Sequence, residues 1–343
     1  HRAGHLLGLS YLVNITDLHH ENIIATATQP VPVDLETIMS VFPRSVPDQN
    51  EAGAATLRQA GVPSPVADAE LLAAHLLGTD AEGNRRGTAR EGYTRGAVQQ
   101  RALLGDVLTA QDTQRYESLI ARRARRIPLQ HITGVAAFHR IQVRVGPGVF
   151  VPRPETELLV EEALNALRAY PQRRLRVVDL CAGSGAIAAA IKNALPNDAL
   201  VTAVELSELA EPWARINCEI YGVNFVHGDA LSALEGLGGY FDAVVSNPPY
   251  IPQGRVPTEP EDAQHDPDMA LYGGSADGMR IPAAVAARAA YLVKPGGFFI
   301  MEHDETQQDA VVEVFNELGF VRVRCVHDLT GRPRHTCGYR PTV

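Results

Sequence analysis

The sequence predicts an α/β fold, with a doubly wound and mostly parallel sheet in its C-terminal half and a small helical domain before it. Beyond Val151, short apolar runs alternate with segments of helical periodicity, a pattern typical of parallel sheets that helices cover on both faces. The chain has 343 residues, more than one domain usually holds, so we expect two or more domains.

The composition is that of an ordinary globular protein. Apolar residues make up 45% of the chain and charged residues 21%, which excludes a disordered polar chain. A formal net charge of −9 argues against a protein that binds nucleic acid mainly through phosphates, so we expect no stable nucleic-acid binding. No apolar run is long enough to span a membrane, and no signal peptide pattern occurs. We therefore expect a cytoplasmic protein.

Cysteine and histidine spacing gives no sign of a metal site or of a disulfide framework. The four cysteines, at positions 181, 218, 325 and 337, form no C-x-x-C pair. The histidines form no H-E-x-x-H or paired Cys/His pattern. We expect reduced thiols and no bound metal.

The chain divides into five predicted segments. Two prolines and several polar residues after Phe42 indicate a linker. Helical spacing of apolar residues follows, with Gly78 expected as a C-cap. A period-two pattern from Phe138 to Val145 predicts a hairpin with a turn near Arg140. The segments are an N-terminal fragment at 1–45, a linker at 46–52, a helical domain at 53–130, a hairpin connector at 131–155 and the α/β domain at 156–343.

Four strands and four helices are predicted within the α/β domain. The strands are LRVVDL (175–180), LVTAVEL (200–206), FDAVVS (241–246) and GFFIME (297–302). The helices are ELLVEEALNALRAY (157–170), AIAAAIKNAL (186–195), ELAEPWARINCEI (208–220) and PAAVAARAAYLV (282–293). Because ligands of such sheets bind at the carboxyl ends of strands, functional residues are expected there.

A glycine-rich turn follows the first of these strands and leads into a helix. In the turn CAGSG, Gly183 and Gly185 permit positive φ and let backbone N–H groups approach a ligand. Glu205 ends the next strand, where its carboxylate can accept both hydroxyls of a ribose. GSGAIA matches the dinucleotide pattern G-x-G-x-x-A, so a nicotinamide dinucleotide stays open beside S-adenosylmethionine. Asp179, just before the turn, favours the latter because a carboxylate suits an ammonium better than a pyrophosphate.

The sequence Asn247-Pro248-Pro249-Tyr250 follows the third strand. Two prolines remove N–H donors and fix φ, so the carbonyls of Asn247 and Pro248 point in set directions. We interpret the Asn247 side-chain carbonyl and the Pro248 backbone carbonyl as acceptors for an amino group, with Tyr250 covering its flat face. Transfer to that nitrogen depends on alignment and needs no strong base. A turn that merely ends a strand is the alternative interpretation.

Taken together, these motifs resemble the bacterial protein-(glutamine-N5) methyltransferases that modify class I peptide chain release factors. The resemblance covers about residues 53–343 and includes FVPRPETELLV (150–160), DPDMALYGGSADG (266–278) and KPGGFFIMEH (294–303). It implies a seven-stranded, Rossmann-like sheet with an antiparallel strand near the C-terminus and S-adenosylmethionine as cofactor. It also implies that the helical domain docks a release factor whose Gly-Gly-Gln loop enters the pocket.

The resemblance assigns roles to individual residues. The residues implied to contact the cofactor are Asp179, Cys181, Ala182, Gly183, Ser184, Gly185, Glu205, Asp229, Ala230 and Asn247. Those implied to hold the substrate are Asn247, Pro248, Pro249 and Tyr250, with Asn247, Pro248 and Tyr250 catalytic. The pair Cys181-Ala182 departs from the Gly-Thr that is frequent in the family. Because cysteine has a Cβ, we expect the loop to avoid positive φ there.

Three features admit more than one interpretation. N-P-P-Y also occurs in amino-methyltransferases of adenine and cytosine, so a DNA or RNA exocyclic-amine methyltransferase is the alternative function, which the net charge disfavours. The basic run Arg122–Arg126 is expected on a solvated helix face, with contact to a release factor or ribosomal RNA as the alternative. Glu302 and His303 end a predicted strand near the expected cofactor cleft. They either form hydrogen bonds that end the strand or contact the cofactor.

The N-terminal segment has a second resemblance. Residues 3–38 resemble a piece of the dehydratase domain of class II lanthipeptide synthetases, which is kinase-like. That resemblance implies a catalytic loop at Asp17, His19 and Asn22, and a metal and phosphate site at Asp34 and Glu36. So short a segment lacks the surrounding core, so we expect an inactive remnant, a fusion or a gene-model artefact.

Overall fold

A computed structural model describes most of the chain. The described residues are 23–25, 30–32, 46–78, 98, 108–171, 174–257 and 260–342, with backbone only at 23–25, 30–32, 46–48 and 262. The chain forms two compact units, His1–Thr133 and Gly134–Val343. Among the described residues, no helix is both long and apolar enough to cross a membrane.

Two short strands precede the helices of the first unit. Strand β1 (Ile23–Ala25) pairs with β2 (Pro30–Pro32) in antiparallel fashion. The residues to which the lanthipeptide synthetase resemblance assigns roles lie outside the described residues, and that interpretation stays a prediction. They are Asp17, His19, Asn22, Asp34 and Glu36.

The helical part of the first unit begins earlier than predicted. Its helices are α1 (Val46–Gln59), α2 (Pro65–Leu77), α3 (Ala110–Ala124) and α4 (Leu129–Thr133). The predicted linker at 46–52 is wrong, because α1 includes it. Pro47 lies in the first turn of α1, where a helix needs no N–H from it, so this proline starts a helix instead of preventing one.

A buried ion pair joins two helices of this unit. Arg123 on α3 donates from Nε to Oδ2 of Asp68 on α2 at 2.7 Å, and both residues are buried. Arg126 donates to the carbonyl of Gly61 at 2.8 Å. The predicted solvated face of the basic run is therefore wrong for Arg123, because its charge is neutralised inside the helical core.

The hairpin opens the second unit as predicted. Strands β3 (Val135–Phe138) and β4 (Ile141–Arg144) are antiparallel. The turn between them contains His139, with a φ of 54°. Phe138, Ile141, Val143 and Val145, predicted to share one side, are all buried.

A seven-stranded sheet forms the centre of the second unit. Its strands are β5 (Leu175–Leu180), β6 (Ala199–Glu205), β7 (Asn224–His227), β8 (Phe241–Ser246), β9 (Val293–Glu302), β10 (Val321–His327) and β11 (Pro333–Tyr339). Their order is β10-β11-β9-β8-β5-β6-β7, and β11 is antiparallel to both of its neighbours. The predicted fold class, with its antiparallel strand near the C-terminus, is confirmed.

Helices cover both faces of this sheet. They are α5 (Thr156–Arg168), α6 (Ala186–Ala194), α7 (Glu211–Tyr221), α10 (Arg280–Leu292) and α11 (Gln308–Glu317). Two short helices, α8 (Pro260–His265) and α9 (Asp268–Leu271), precede α10. Adjacent residues of a strand point to opposite faces. Val177 accordingly packs in one apolar cluster, with residues of α5 and α6, and Val178 in another, with residues of α10 and α11. Both faces are buried, which explains the continuous apolar runs.

Asp68→Asn should destabilise the helical unit, because the change removes the carboxylate that neutralises the buried Arg123 charge. We expect the free energy of unfolding to fall by about 3 kcal/mol, measured by urea denaturation with circular dichroism. Glu117→Gln, an equal charge change at an exposed position of α3, is the control and should shift it by less than about 0.5 kcal/mol. Equal effects of the two changes would contradict a stabilising buried pair.

Candidate active site

A cavity of about 510 Å³ lies at the carboxyl ends of β5, β6 and β8. In an open α/β sheet this is where ligands bind, at the position where the strand order reverses. The volume is typical of a small-molecule site. Predicted site residues that line the cavity are Cys181, Ala182, Gly183, Ser184, Glu205, Asp229, Ala230, Asn247, Pro249 and Tyr250.

In the turn after β5, every second residue has a left-handed backbone conformation. The φ angles are +62° at Cys181, +55° at Gly183 and +79° at Gly185. The expectation that Cys181 avoids positive φ is wrong, because the tight turn imposes this conformation on a residue with a Cβ. A Cβ added to Gly183 would have no other atom within 4 Å, so the backbone there is open to the cavity. Burial raises the pKa of the Cys181 thiol, which keeps it protonated and a poor nucleophile.

Asp179 lies beneath this turn and does not line the cavity. Its Oδ2 accepts a hydrogen bond from the N–H of Ala188 at 3.1 Å, which ties the strand end to the start of α6. Its Oδ1 has no partner among the described residues. Burial raises the pKa of this carboxyl well above its ordinary value. Asp179 thus ties the turn to α6, and its predicted contact with the cofactor stays a prediction.

Glu205 ends β6 at the edge of the cavity. Its Oε2 accepts from the N–H of Gly183 at 2.6 Å, and its Oε1 accepts from the N–H of Ser207 at 2.7 Å. Each oxygen of a carboxylate has a second lone pair, so both can accept a further hydrogen bond from a ligand. The same side chain therefore holds the glycine turn and offers two acceptors to the cavity.

The segment Asn247–Tyr250 follows β8 and is called the corner below. It is connected to a buried carboxylate. Asn247 Nδ2 donates to Thr156 Oγ1 at 3.3 Å, and Thr156 Oγ1 donates to Glu302 Oε2 at 2.7 Å. The Tyr250 hydroxyl lies 3.1 Å from the other oxygen of Glu302, and Arg334 Nη2 donates to that hydroxyl at 3.0 Å. Two side chains of the corner are thus anchored through Glu302.

The electrostatics of this group favour an ionised Glu302. Burial opposes ionisation, but hydrogen bonds from His335 and Thr156 and the charge of Arg334 bring the pKa of Glu302 below its ordinary value. Burial also raises the pKa of Tyr250, which therefore keeps its proton. At neutral pH the carboxylate accepts and the phenol donates.

A glycine-rich loop supports the corner from the other side. The Tyr250 carbonyl accepts from Gln307 Nε2 at 2.8 Å, and the same amide group donates to the carbonyl of Asp277 at 2.8 Å. Gly278 has a φ of +73°, and a Cβ added there would lie 2.1 Å from the Tyr250 carbonyl oxygen. Part of the run 266–278 thus packs its backbone directly against the corner.

Some residues of the site were not foreseen from the sequence. Thr156 belongs to the P-R-P-E-T-E run, which carried the resemblance but suggested no role for this threonine. Arg334 reaches the corner from β11, and no pattern in the sequence marks it. Glu302 forms hydrogen bonds behind the corner and does not line the cavity. Gly185 and Pro248 also lie outside the lining, and the predicted acceptor role of the Pro248 carbonyl stays a prediction.

Comparisons with known proteins agree on one family. The sequence model of the PrmC N-terminal domain family matches residues 51–134, and that of the methyltransferase small domain family matches residues 141–259. The release factor glutamine methyltransferase of Mycolicibacterium smegmatis is 44% identical over 84% of this chain and 96% of its own. The chain belongs to the release factor glutamine methyltransferase family.

Further members of the release factor glutamine methyltransferase family show similar agreement. The protein of Streptomyces coelicolor is 44% identical over 81% of this chain and 92% of its own. That of Bifidobacterium longum is 39% identical over 81% of this chain and 94% of its own.

Among solved structures, a methyltransferase from Pyrococcus furiosus is 20% identical, covering 58% of this chain and 88% of its own, with a TM-score of 0.41.

Gly278→Ala should disrupt the corner, because the added methyl group collides with backbone atoms of Tyr250 and Pro252. We expect the free energy of unfolding to fall by about 3 kcal/mol or more, as for other strained backbone changes. Gly254→Ala is the control, since Gly254 also has positive φ but open space around it, and about 1 kcal/mol is expected there. Denaturant unfolding of the two variants decides, and equal losses would show that the close contact is unimportant.

Proposed function

We propose that this chain transfers a methyl group from S-adenosyl-L-methionine to the side-chain amide nitrogen, N5, of a glutamine in a class I peptide chain release factor. The glutamine is that of the Gly-Gly-Gln motif. The observation that carries the proposal is the half-buried Asn247 at the carboxyl end of β8, which lines the cavity beside the glycine turn. Family membership supports the same substrate.

The residues around the glycine turn fit S-adenosyl-L-methionine. The open backbone at Gly183 admits a ligand at close range, and Glu205 offers two acceptors for ribose hydroxyls. Asp229 and Ala230 line the adjoining part of the cavity, where an adenine would lie. When bound, the cofactor supplies an electrophilic methyl group on a positively charged sulfur.

The corner residues orient the nitrogen that receives the methyl group. Asn247 Oδ1 and the Pro248 carbonyl each accept one hydrogen of the glutamine amide, and Tyr250 covers its planar face. An amide nitrogen is a weak nucleophile because its lone pair is delocalised, so its direction relative to the methyl group matters most. Holding two reactants in line can lower the activation barrier by several kcal/mol.

The cavity rim suits a protein substrate. Met269 and Leu231 line the cavity, yet are 57% and 41% exposed. These two side chains leave apolar surface beside the cavity that a protein substrate can cover. The helical unit would add a second contact with the release factor, and the reaction would take place in the cytoplasm.

Incubation of the chain with isotopically labelled S-adenosyl-L-methionine and a purified release factor tests the proposal. Mass mapping should find one labelled methyl group on the glutamine of the Gly-Gly-Gln motif. A release factor with alanine at that glutamine is the control and should acquire no label. Methylation of an adenine-containing oligonucleotide in place of the release factor would instead support the exocyclic-amine alternative.

Asn247→Ala should reduce kcat at least about a hundredfold, because the substrate nitrogen loses an acceptor that orients it. Steady-state rates with the release factor measure the change, and circular dichroism verifies that the fold is retained. Normal turnover by a folded Asn247→Ala variant would show that this side chain does not position the substrate.

Glu205→Gln should weaken S-adenosyl-L-methionine binding about tenfold, because a carboxamide has one acceptor oxygen and lacks the charge. Isothermal calorimetry measures the affinity. Glu208→Gln, an equal charge change at an exposed neighbour, should leave it unchanged. Tight NADH binding by the unaltered chain, without any response to S-adenosyl-L-methionine, would contradict a methyltransferase.

A further inference from the structure

We infer that Glu302, acting through Thr156, is a positioning residue that determines which end of the Asn247 carboxamide faces the substrate. The inference rests on the proposed function, since it concerns the same site. It assigns a purpose to a buried charge and to a threonine whose contribution nothing in the sequence explains.

Glu302 is surrounded by donors. It is 1% exposed at the end of β9. Thr156 Oγ1 lies 2.7 Å and His335 Nε2 lies 3.3 Å from its Oε2, and the Tyr250 hydroxyl lies 3.1 Å from its Oε1. An ionised carboxylate has no hydrogen to donate. Each of these partners must therefore direct its hydrogen at Glu302.

This requirement fixes the hydrogen bond at Thr156. A threonine hydroxyl has a single hydrogen, and here Glu302 takes it. In its 3.3 Å contact with Asn247, Thr156 can then only accept. Asn247 must present its NH₂ group to Thr156, which leaves its Oδ1 for the cavity that the residue lines.

The opposite orientation of the amide is excluded by the same contacts. It would place Oδ1 of Asn247 against the Thr156 oxygen with no hydrogen between them, and it would turn NH₂ toward the substrate. An NH₂ group cannot accept a hydrogen from the glutamine nitrogen. The direction of the Thr156 hydrogen bond therefore determines whether Asn247 can accept a hydrogen from the substrate amide.

The direction of the Tyr250 hydrogen bond is also fixed by Glu302. Arg334 donates to the Tyr250 oxygen at 3.0 Å, so the phenol hydrogen is directed at Glu302. Arg334 Nη2 is 3.8 Å from Glu302 Oε1 and supplies a compensating charge. His335 Nδ1 has no partner among the described residues, and its Nε2 lies 3.3 Å from Glu302 Oε2, where it can donate.

Thr156→Val and Thr156→Ser test the inference. Valine has nearly the same shape but no hydroxyl, so kcat should fall about tenfold, the effect of one lost hydrogen bond. Serine keeps the hydroxyl, so its kcat should stay within about threefold of the unaltered chain. Both variants should keep the KM for the release factor and the calorimetric affinity for S-adenosyl-L-methionine. Glu302→Gln, whose carboxamide can donate to Thr156, should also lower kcat, with melting curves to verify folding.

A double-mutant cycle separates positioning from direct contact. If Thr156 acts through Asn247, then Thr156→Val should cause no further loss of kcat in an Asn247→Ala background. Additive losses would overturn the inference, as would an unchanged kcat in Thr156→Val alone, and the proposed function would stand in both cases. Failure of the unaltered chain to methylate the release factor would overturn the proposed function and this inference together.

Discussion

A carboxylate removed from water is stable only where its neighbours donate hydrogen bonds to it, and Glu302 is in that position at the end of β9. Its partners come from three other parts of the chain: Thr156 at the start of α5, Tyr250 after β8, and the neighbours Arg334 and His335 on β11. Satisfying this one charge sets the direction of each of their hydrogen bonds. The orientation of the corner follows from it.

The sheet topology makes this convergence possible. Strands β8 and β9 are parallel neighbours, so their carboxyl ends meet, and β11 pairs with β9 so that His335 lies opposite Glu302. The first residue of α5 reaches the same edge. Motifs that are far apart in sequence, P-R-P-E-T-E and N-P-P-Y, thus become parts of one hydrogen-bonded group.

The strands β5, β6, β8 and β9 could be predicted because they are largely buried on both faces and read as continuous apolar runs. FDAVVS matches β8, and the turn and corner follow strand ends as expected. Long-range contacts could not be predicted, since no local pattern connects Glu302 with Thr156 or Arg334. Local rules also failed where tertiary geometry prevailed: Cys181 takes a left-handed φ in a tight turn, and Pro47 lies within the first turn of a helix.

The most direct test of the account is a crystal structure of the chain with S-adenosylhomocysteine and a release factor. We expect the glutamine amide nitrogen within hydrogen-bonding distance of Asn247 Oδ1, on the side facing the cofactor sulfur, while Asn247 Nδ2 keeps its contact with Thr156. A complex in which the glutamine carbonyl oxygen faces the Asn247 side chain, or in which the glutamine lies away from the corner, would contradict it.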